Sequence, residues 1–353
     1  MSGGGWSCPL PTSRYDRVTM AHGGGGTLMQ RLVRDELGAL LPPAEAGALG
    51  DAAWVRAGAA GEVAMTTDSF VVRPLFFPGG DIGTLAVNGT LNDLAVSGAR
   101  PVGLSVGMIL EEGLDTATLR RVAASLRAAA DAAGVPILTG DTKVVERAGS
   151  GGEPGLYVNT AGVGVPAVAD PAKRPRPERM AVGDAVLATG SVGRHGMAVM
   201  AERHGLRVGD GLTSDCASLV APLMALWDEG IDVHCARDAT RSGLGGVLCE
   251  LAESADAGIL CEEDAVPVWD TVRVACEALG FDPLFVANEG CAAVFVAPDD
   301  ADRALAILRR FPPCAEAARI GTVVPESGVA MRTPLGTERR LAPPLGEQLP
   351  RIC

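Results

Sequence analysis

The chain has 353 residues and a formal net charge of −13, with 47% hydrophobic and 21% charged residues. These totals are typical of a globular protein with enough apolar material for about two domains. The acidic balance argues against a nucleic-acid-binding surface and against a surface that binds anionic membranes. Because the sequence lacks an apolar run of about 20 residues and a signal-peptide pattern, we expect a cytoplasmic protein that does not enter the membrane.

Strand and helix patterns alternate along the first half of the chain. Gly-, Ser- and Pro-rich sequence up to residue 20 predicts a flexible leader, and an amphipathic helix is predicted for TLMQRLVRDELGAL. Further strands are predicted for EVAMTTDSF, PVGLSVGMILEE, VPILTGDTKVV and LYVNTAGVGV, and further helices for DIGTLAVNGTLNDLAVSGA and DTATLRRVAASLRAAADAAG. Alternation of this kind indicates an α/β (α+β) domain.

The second half repeats this alternation after PAKRPRPERMAVGD, a proline-rich and basic segment that predicts a linker. Strands are predicted for DAVLATG, AGILCEE, CAAVFVA and ARIGTVV, and helices around 195–204 and 216–228 and for SGLGGVLCELAESA, WDTVRVACEALG and ADRALAILRRF. The predicted organisation has four parts: a flexible N-terminal segment 1–20, an N-terminal domain 21–172, a C-terminal domain 178–340 and a flexible tail 341–353 that ends in Cys353.

A glycine-rich motif, HGGGG, directly precedes the first predicted helix. Backbone N–H groups that no side chain crowds can bind an anion such as phosphate at a helix N-terminus. The segment fits neither a P-loop nor a dinucleotide-binding pattern, so a flexible leader is an equally good interpretation. The candidate anion-binding residues are His22, Gly23, Gly24, Gly25 and Gly26.

HGGGG is also similar to the oxyanion-hole motif of lipases, and GLSVG fits the nucleophile-elbow pattern around Ser105. A nucleophile elbow requires a strand, a sharp turn and then a helix, with the serine at the turn. Here the apolar alternation continues beyond Ser105 without a following helix pattern, and the last histidine is His234. These features argue against a serine hydrolase.

Polar residues lie where several predicted strands and helices meet. Carboxylates in such places bind the Mg²⁺ ions that accompany nucleotide phosphates. A single aspartate at a turn is more often a cap, but several in polar breaks between apolar segments favour a nucleotide site. The candidate nucleotide-binding residues are Asp68 after a strand, Asn88 and Asp93 on the next helix and Asp141 after another strand, and the candidate Mg²⁺ ligands are Asp68, Asp93 and Asp141.

Three more charged residues are candidates for chemistry. Lys143 lies two residues beyond Asp141, so strand alternation places both side chains on one face, although a surface lysine is an alternative interpretation. Glu289 precedes an apolar strand and is either a turn residue or a general base. Arg241, in RDATRSGLGG, precedes a helix and is a candidate for contacting an anion or the other domain.

Motifs spread from His22 to Cys353 form one recognisable set: HGGGG, TTDSFVVRPLFFPGGDIG, GTLNDLAVSGARP, ILEEGL, GDTKVV, NTAGVG, SDCASL, RDATRSG, ANEG and PRIC. The set resembles the HypE family, the carbamoyl dehydratases of hydrogenase maturation, which belong to the PurM (aminoimidazole ribonucleotide synthetase) superfamily. Two positions depart from the family pattern: Gly24 stands where serine is usual, and Ser242 stands where glycine is usual.

The resemblance implies a two-domain PurM-like fold, a homodimer, and a cleft that binds ATP and Mg²⁺. It implies that a partner carbamoyltransferase, HypF, places a carbamoyl group on Cys353 at the end of a mobile tail. The enzyme then dehydrates this S-carboxamide to a thiocyanate, which supplies the cyanide ligand of [NiFe]-hydrogenases through the iron-carrying HypC–HypD complex.

The resemblance also implies roles for the candidate residues. Asp68, Asp93 and Asp141 hold Mg²⁺, and Lys143 stabilises the charge that develops during phosphoryl transfer. A base must remove the N–H protons as the C≡N bond forms, and Glu289 is the candidate, with His22 as the second choice.

Two alternatives remain open on the sequence. A small-molecule phosphotransferase of the same superfamily, such as selenophosphate synthetase or thiamine-monophosphate kinase, would not need Cys353. A non-enzymatic scaffold that only presents Cys353 to partners would show no ATP hydrolysis that depends on carbamoylation.

Overall fold

The computed structural model describes residues 18–19, 22, 27–37, 50–58, 61–147, 153–206 and 211–342. Most of the predicted leader and most of the predicted tail, including Cys353, lie outside these ranges. The glycines of the HGGGG motif, residues 23–26, also lie outside them.

The first half forms a five-stranded sheet with helices on one face, as the alternating pattern predicts. The strand order is β1-β2-β7-β5-β6, in which β5 and β6 run parallel and the other pairs are antiparallel. The elements in the described residues are α1 (Thr27–Leu32), a π-helical turn (Val33–Leu37), β1 (Ala53–Arg56), β2 (Glu62–Phe70), β3 (Phe76–Phe77), β4 (Gly80–Asp81), α2 (Ile82–Val96), β5 (Ala99–Glu111), α3 (Thr116–Ala133), β6 (Ile137–Val145) and β7 (Leu156–Pro166).

Helix α2 is the central helix of this half. The Asp81 carboxylate caps it by accepting hydrogen bonds from the N–H groups of Gly83 at 2.7 Å and Thr84 at 3.0 Å. Apolar residues occur all round the helix, which is typical of a helix buried on every side. It packs between the sheet, α3 and the second half of the chain, so nearly all of its residues are buried.

The other face of the five-stranded sheet, here called the open face, is not covered by any of the elements that the structure describes. Met65 is 52% exposed there, and Ile109 and Val165 are also exposed. The parallel register pairs Gly107 with Asp141 and Ile109 with Lys143. Because paired residues of neighbouring strands share a face, Asp141 and Lys143 point to the open face, away from α2.

The second half forms a seven-stranded sheet with helices on both faces. The strand order is β14-β13-β10-β12-β8-β11-β9. Its elements in the described residues are β8 (Ala185–Ala188), α4 (Arg194–His204), α5 (Val220–Asp228), β9 (Val233–Asp238), α6 (Gly243–Ala255), β10 (Gly258–Glu262), α7 (Asp270–Leu279), β11 (Ala292–Val296), α8 (Ala301–Leu308), β12 (Ala318–Val324), β13 (Gly328–Arg332) and β14 (Glu338–Leu341), with short 3-10 turns between several of them.

The central strands β8 and β11 are buried on both faces, so they are apolar without interruption. Leu187 lies in one core cluster with residues of α4, α5 and α8, whereas Val186 lies in another with residues of α6. This division follows from strand alternation, which sends successive side chains to opposite faces. The first cluster continues through α2 into the first half, so the two halves share one apolar core.

The segment 211–219, here called the junction loop, joins the halves. Ser214 donates its N–H to the carbonyl of Pro78 at 2.8 Å. Asn92 of α2 donates to the carbonyl of Ala217 at 3.0 Å and accepts from the N–H of Leu219 at 2.7 Å. The junction loop is therefore held by the first half although it belongs, by sequence, to the second.

The proline-rich segment that predicts a linker packs against both halves. Arg174 forms an ion pair with Glu62 at 2.7 Å and stacks on the ring of Trp54 at 3.8 Å. Arg179 forms an ion pair with Asp232 at 2.7 Å. The prolines shape two short 3-10 turns here, because their fixed φ suits the first position of such turns.

The structure contradicts the hydrolase alternative. Ser105 lies inside β5, whose strand continues to Glu111, so no turn and helix follow the serine.

The helices of the described residues are each too short or too polar to cross a lipid bilayer.

Asn92→Ala tests the junction. Asn92 is only 2% exposed, and its loss leaves the buried Leu219 N–H and the Ala217 carbonyl without their partner. We expect the free energy of unfolding to fall by about 2–4 kcal/mol, as measured by urea denaturation. The control is Thr333→Ala, which removes an exposed Thr333–Thr337 hydroxyl contact and should cost less than about 1 kcal/mol. Equal effects of the two substitutions would contradict a structural role for Asn92.

Candidate active site

Four aspartates, here called the acidic cluster, meet at the junction of the two halves: Asp51 just before β1, Asp68 on β2, Asp93 on α2 and Asp238 at the end of β9. Carboxylate oxygens of Asp51, Asp93 and Asp238 lie within 4.8 Å of one another. Asp68 is close enough for its charge to act on the other members. The chain thus brings together carboxylates that are far apart in sequence.

Local structure explains why these side chains converge. On β2, Thr66 and Asp68 belong to the face that packs against α2, because they alternate with the exposed Met65 and Thr67. The hydroxyl of Thr66 lies 2.9 Å from Oδ2 of Asp93 and 2.7 Å from the carbonyl of Asp51. The Thr66 hydroxyl has one proton, so it can donate to either acceptor, and it holds Asp93 of α2 and the backbone of Asp51 close together.

Burial and mutual repulsion raise the pKa values of this cluster. Burial, followed by the charges of Asp238, Asp51 and Asp68, raises the pKa of Asp93 well above its usual range. Burial, with the charge of Asp51 next, raises the pKa of Asp238 to about 8. Without added cations, the cluster therefore holds protons near neutral pH.

Two arginines offset part of this negative charge. Arg237 lies 3.0 Å from Oδ1 of Asp51 and 3.9 Å from Glu250, and the charge of Asp51 raises the pKa of Arg237. The charge of Arg241 lowers the pKa of Asp68 and of Asp238, in each case against the larger effect of burial. The surplus of hard oxygen ligands over cationic side chains fits a site for Mg²⁺, which prefers carboxylates and keeps several waters or phosphates.

Glu289 lies beside this cluster in the turn before β11. It is 3% exposed, and burial, then the charges of Asp238 and Asp215, raise its pKa well above the usual range. Its charge in turn acts on Cys216 of the junction loop, whose thiol accepts a hydrogen bond from the Asn88 amide at 3.7 Å. Asn88 and Glu289, predicted from separate halves of the sequence, therefore face the same region.

Asp141 and Lys143 do not join this region within one chain. They lie 3.7 Å apart on β6, with 73% and 71% of their side chains exposed, respectively. The predicted shared face of these two residues is confirmed, but it is the open face of the sheet, opposite α2 and the acidic cluster. His22 is buried next to Thr19, whose N–H donates to its Nδ1 at 3.0 Å, and Gly23–Gly26 lie outside the described residues.

The sequence pattern missed Asp51 and Asp238. Asp51 follows Gly50 in a segment without a clear strand or helix signal. Asp238 ends β9 (Val233–Asp238), in which His234 and Arg237 interrupt the apolar pattern, so the sequence does not predict a strand there. Neither Asp51 nor Asp238 therefore follows a clear strand signal in the sequence.

Ser242 adopts a left-handed backbone conformation, with φ of +61°, directly before α6. Glycine adopts this conformation freely, whereas for other residues it costs about 1–2 kcal/mol. The backbone at this position therefore favours glycine, and Ser242 is a strained residue next to Arg241.

Comparison with known proteins identifies the fold first. The N-terminal domain model of AIR synthase related proteins matches residues 49–165, and the C-terminal domain model of the same group matches residues 181–333. Both halves are therefore AIR synthase related domains, and the predicted two-domain PurM-like fold is confirmed.

Individual relatives show which AIR synthase related proteins this chain is similar to in sequence and structure. The chain is 44% identical over 345 residues to the carbamoyl dehydratase HypE of Rhodobacter capsulatus, covering 96% of this chain and 99% of that one. The chain in a crystal structure of a HypE–HypF complex superposes with a TM-score of 0.82 at 38% identity, over 89% of this chain and 99% of that chain. A HypE crystallised with ATP gives a TM-score of 0.78 at 44% identity, over 96% and 100%.

This chain belongs to the HypE family of carbamoyl dehydratases, so it is an enzyme of hydrogenase maturation. The family resemblance drawn from the motifs is confirmed.

The raised pKa values of the cluster predict how metal-free protein responds to pH. Asp238 changes from a pKa of about 3.8 in the unfolded chain to about 8 in the folded protein, so between these values the folded protein binds more protons. The free energy of unfolding should therefore fall as the pH rises from 5 to 8, by about 1.4 kcal/mol per pH unit for each proton held.

Urea denaturation of EDTA-treated protein at several pH values measures this slope. Asp238→Asn should flatten it, because the amide carries no proton to lose, and Mg²⁺ should stabilise the wild-type protein most at the alkaline end. An unchanged slope in Asp238→Asn would contradict the assignment.

Proposed function

We propose that the protein uses ATP to dehydrate an S-carboxamide on Cys353 to a thiocyanate, which becomes the cyanide ligand of a [NiFe]-hydrogenase iron centre. The observation that carries the proposal is the buried acidic cluster with Glu289 beside it, in a chain of the HypE family that contains the PRIC motif. Cluster and glutamate together provide a place for a metal–nucleotide complex and a candidate base next to it.

The ATP site lies at the junction of the two domains. The residues suited to hold Mg²⁺ are Asp51, Asp68, Asp93 and Asp238. Bound there, Mg²⁺ neutralises the phosphates and lowers the pKa values of the carboxyl groups around it. Asn88 and the HGGGG segment, His22 to Gly26, contribute hydrogen-bond donors to the nucleotide, and the use of ATP is supported by the HypE structure solved with it.

The reaction has to convert a poor leaving group into a good one. The carboxamide oxygen attacks the γ-phosphorus of ATP while the bond from that phosphorus to the ADP oxygen breaks and one N–H proton is lost. Loss of the second N–H proton and cleavage of the C–O bond then release inorganic phosphate and leave C≡N on the sulfur of Cys353. The amide oxygen leaves in the phosphate, so the net change on the protein is the loss of one water.

Glu289 is the base that takes an N–H proton. Burial keeps bulk water away from the Glu289 carboxyl group. The charges of Asp238 and Asp68 also act on it and raise its pKa. Repulsion from these neighbours makes the ionised carboxylate a stronger base than an exposed glutamate. Cations that balance the cluster are needed before Glu289 can ionise, which links the base to nucleotide binding.

The active form is a homodimer in which open faces pack together. Exposed Met65, Ile109 and Val165 give this face an apolar surface of the kind that a second protein covers. Asp141 and Lys143 lie on the same face, away from the acidic cluster of their own chain. Because β6 is an edge strand of the sheet, Asp141 and Lys143 extend past the packed faces to the site of the other subunit, where Lys143 stabilises the transferred phosphoryl group and Asp141 completes the metal site.

The protein works in the cytoplasm between two partners. HypF loads the carbamoyl group, as suggested by the solved complex between a HypE and a HypF. The HypC–HypD complex then receives the cyanide group on its iron. The seven cysteines within the described residues are free thiols, which suits a reducing compartment.

Intact-mass measurement of carbamoylated protein tests the reaction. With Mg²⁺ and ATP, the peptide that contains Cys353 should lose the mass of one water, and Glu289→Gln should slow this loss about 100- to 10,000-fold because the amide cannot accept the proton. Lys173→Ala, which removes an exposed lysine in the 3-10 turn Pro171–Lys173, serves as the control. Carbamoylated wild-type protein that keeps its full mass would contradict the proposed function.

Mixing two inactive variants tests the dimer. Lys143→Ala and Glu289→Gln are each expected to be inactive, but a mixed dimer contains one site that lacks both groups and one that lacks neither. Random reassembly of equal amounts should therefore restore about a quarter of wild-type activity. No recovery would show that Lys143 acts within its own subunit or not at all.

A further inference from the structure

We infer that Asp215 is a positioning residue for the dehydration: it holds the backbone of Glu289 and Gly290 and thereby fixes where the Glu289 carboxyl group lies. This inference rests on the proposed function of Glu289 as the base. Neither the sequence motifs nor the family resemblance assigns a role to Asp215, which lies in the junction loop within SDCASL.

The carboxylate of Asp215 contacts two consecutive peptide groups. The N–H of Glu289 lies 3.2 Å from both Oδ1 and Oδ2 of Asp215, and the N–H of Gly290 lies 3.1 Å from Oδ2. Hydrogen bonds to a carboxylate are stronger than those between neutral groups, particularly in a buried region. Asp215 therefore holds the peptide unit on each side of the Glu289 α-carbon.

A third contact holds the same residue from the other direction. The N–H of Ala217 donates to the carbonyl of Glu289 at 3.3 Å. Gly290 is required for this close approach, because a Cβ there would lie 1.9 Å from the carbonyl oxygen of Asp215. With its backbone held on both sides, Glu289 keeps only its side-chain torsions as freedom.

The junction loop is bonded to helices on both sides, so Asp215 has a fixed position relative to these helices. Arg194, at the start of α4, donates from Nε to the carbonyl of Thr213 at 3.1 Å and stacks on Trp269 at 3.6 Å. The Trp269 indole in turn donates to the carboxylate of Glu316 at 2.8 Å. From the opposite side, Asn92 of α2 holds the loop at Ala217.

This arrangement has a mechanistic consequence. The backbone of the base belongs to the second half of the chain, whereas Asp93 and Asp68 of the acidic cluster belong to the first. Asp215 lies in the junction loop, which is bonded both to α2 and to the turn of Glu289. Asp215 thus fixes the position of the base relative to the metal–nucleotide site. A displacement of about 1 Å at a reacting group can lower the rate about 100-fold.

The test compares three variants in the full-length, carbamoylated protein. Asp215→Ala should lower kcat for dehydration about 100-fold while KM for ATP changes less than about 2-fold. Asp215→Asn should recover most of the rate, because its remaining oxygen can accept both N–H bonds as Oδ2 does. Asp184→Ala is the control: Asp184, just before β8, is also buried, accepts from the N–H of Ala181 at 2.9 Å and pairs with His234 at 2.8 Å. Among the described residues, however, it makes no hydrogen bond to the turn of Glu289.

A double-mutant cycle separates positioning from stability. If Asp215 acts through Glu289, Asp215→Ala should slow Glu289→Gln by less than about 3-fold, since there is no base left to misplace. Calorimetric binding of ATP to Asp215→Ala, at an affinity close to wild type, verifies that this variant is folded.

The outcomes are distinct. A wild-type protein that does not dehydrate its carboxamide contradicts the proposed function and the inference with it. Dehydration by the wild type with unchanged kcat in Asp215→Ala overturns only the inference. Two further results would also overturn the inference alone. One is that the effects of Asp215→Ala and Glu289→Gln multiply in the double variant. The other is that kcat in Asp184→Ala falls as low as in Asp215→Ala.

Discussion

Repulsion among buried carboxyl groups governs the centre of this molecule. The acidic cluster and Glu289 concentrate negative charge at the domain junction, and Arg237 and Arg241 offset only part of it. Burying unpaired charge is costly, so the folded chain keeps protons on groups that would be ionised in water. In the proposed mechanism, cations that arrive with the nucleotide replace these protons. The resting site and the loaded site thus differ in protonation before any atom of the substrate reacts.

That charge is divided between two domains which cannot be treated separately. Asp51, Asp68 and Asp93 come from the first half of the chain, and Asp238 and Glu289 come from the second. The apolar core that runs from α2 into α5 and α8 brings the halves together against this repulsion. Hydrogen bonds of the junction loop then fix their relative position. Apolar packing stabilises the association of the two halves, and the polar contacts fix the position of Glu289 relative to the carboxylates of the first half.

Sequence patterns predicted most of the fold and part of the site. The alternation of strands and helices was sufficient for two α/β domains, because apolar periodicity reports local burial directly. Asp68, Asn88 and Asp93 stand out in the sequence because they interrupt apolar elements, and the structure brings Asp68 and Asp93 together, whereas their roles as ligands stay a prediction. The face of β6 that carries Lys143 could not be predicted, because it depends on the strand order β2-β7-β5-β6 and on which side α2 packs. Asp51 was missed because only its distant partners, Asp93 and Asp238, reveal it.

The buried position of α2 also affects synthesis on the ribosome. The first half is complete at about residue 165, when α5 and the junction loop have not yet been made. Until they emerge, the side of α2 that later packs against Leu219 and Leu223 has no partner, and its apolar residues face water. The nascent chain therefore passes through a stage in which an apolar side of α2 is exposed. A chain divided between the two domains would lack the residues that cover this side of α2.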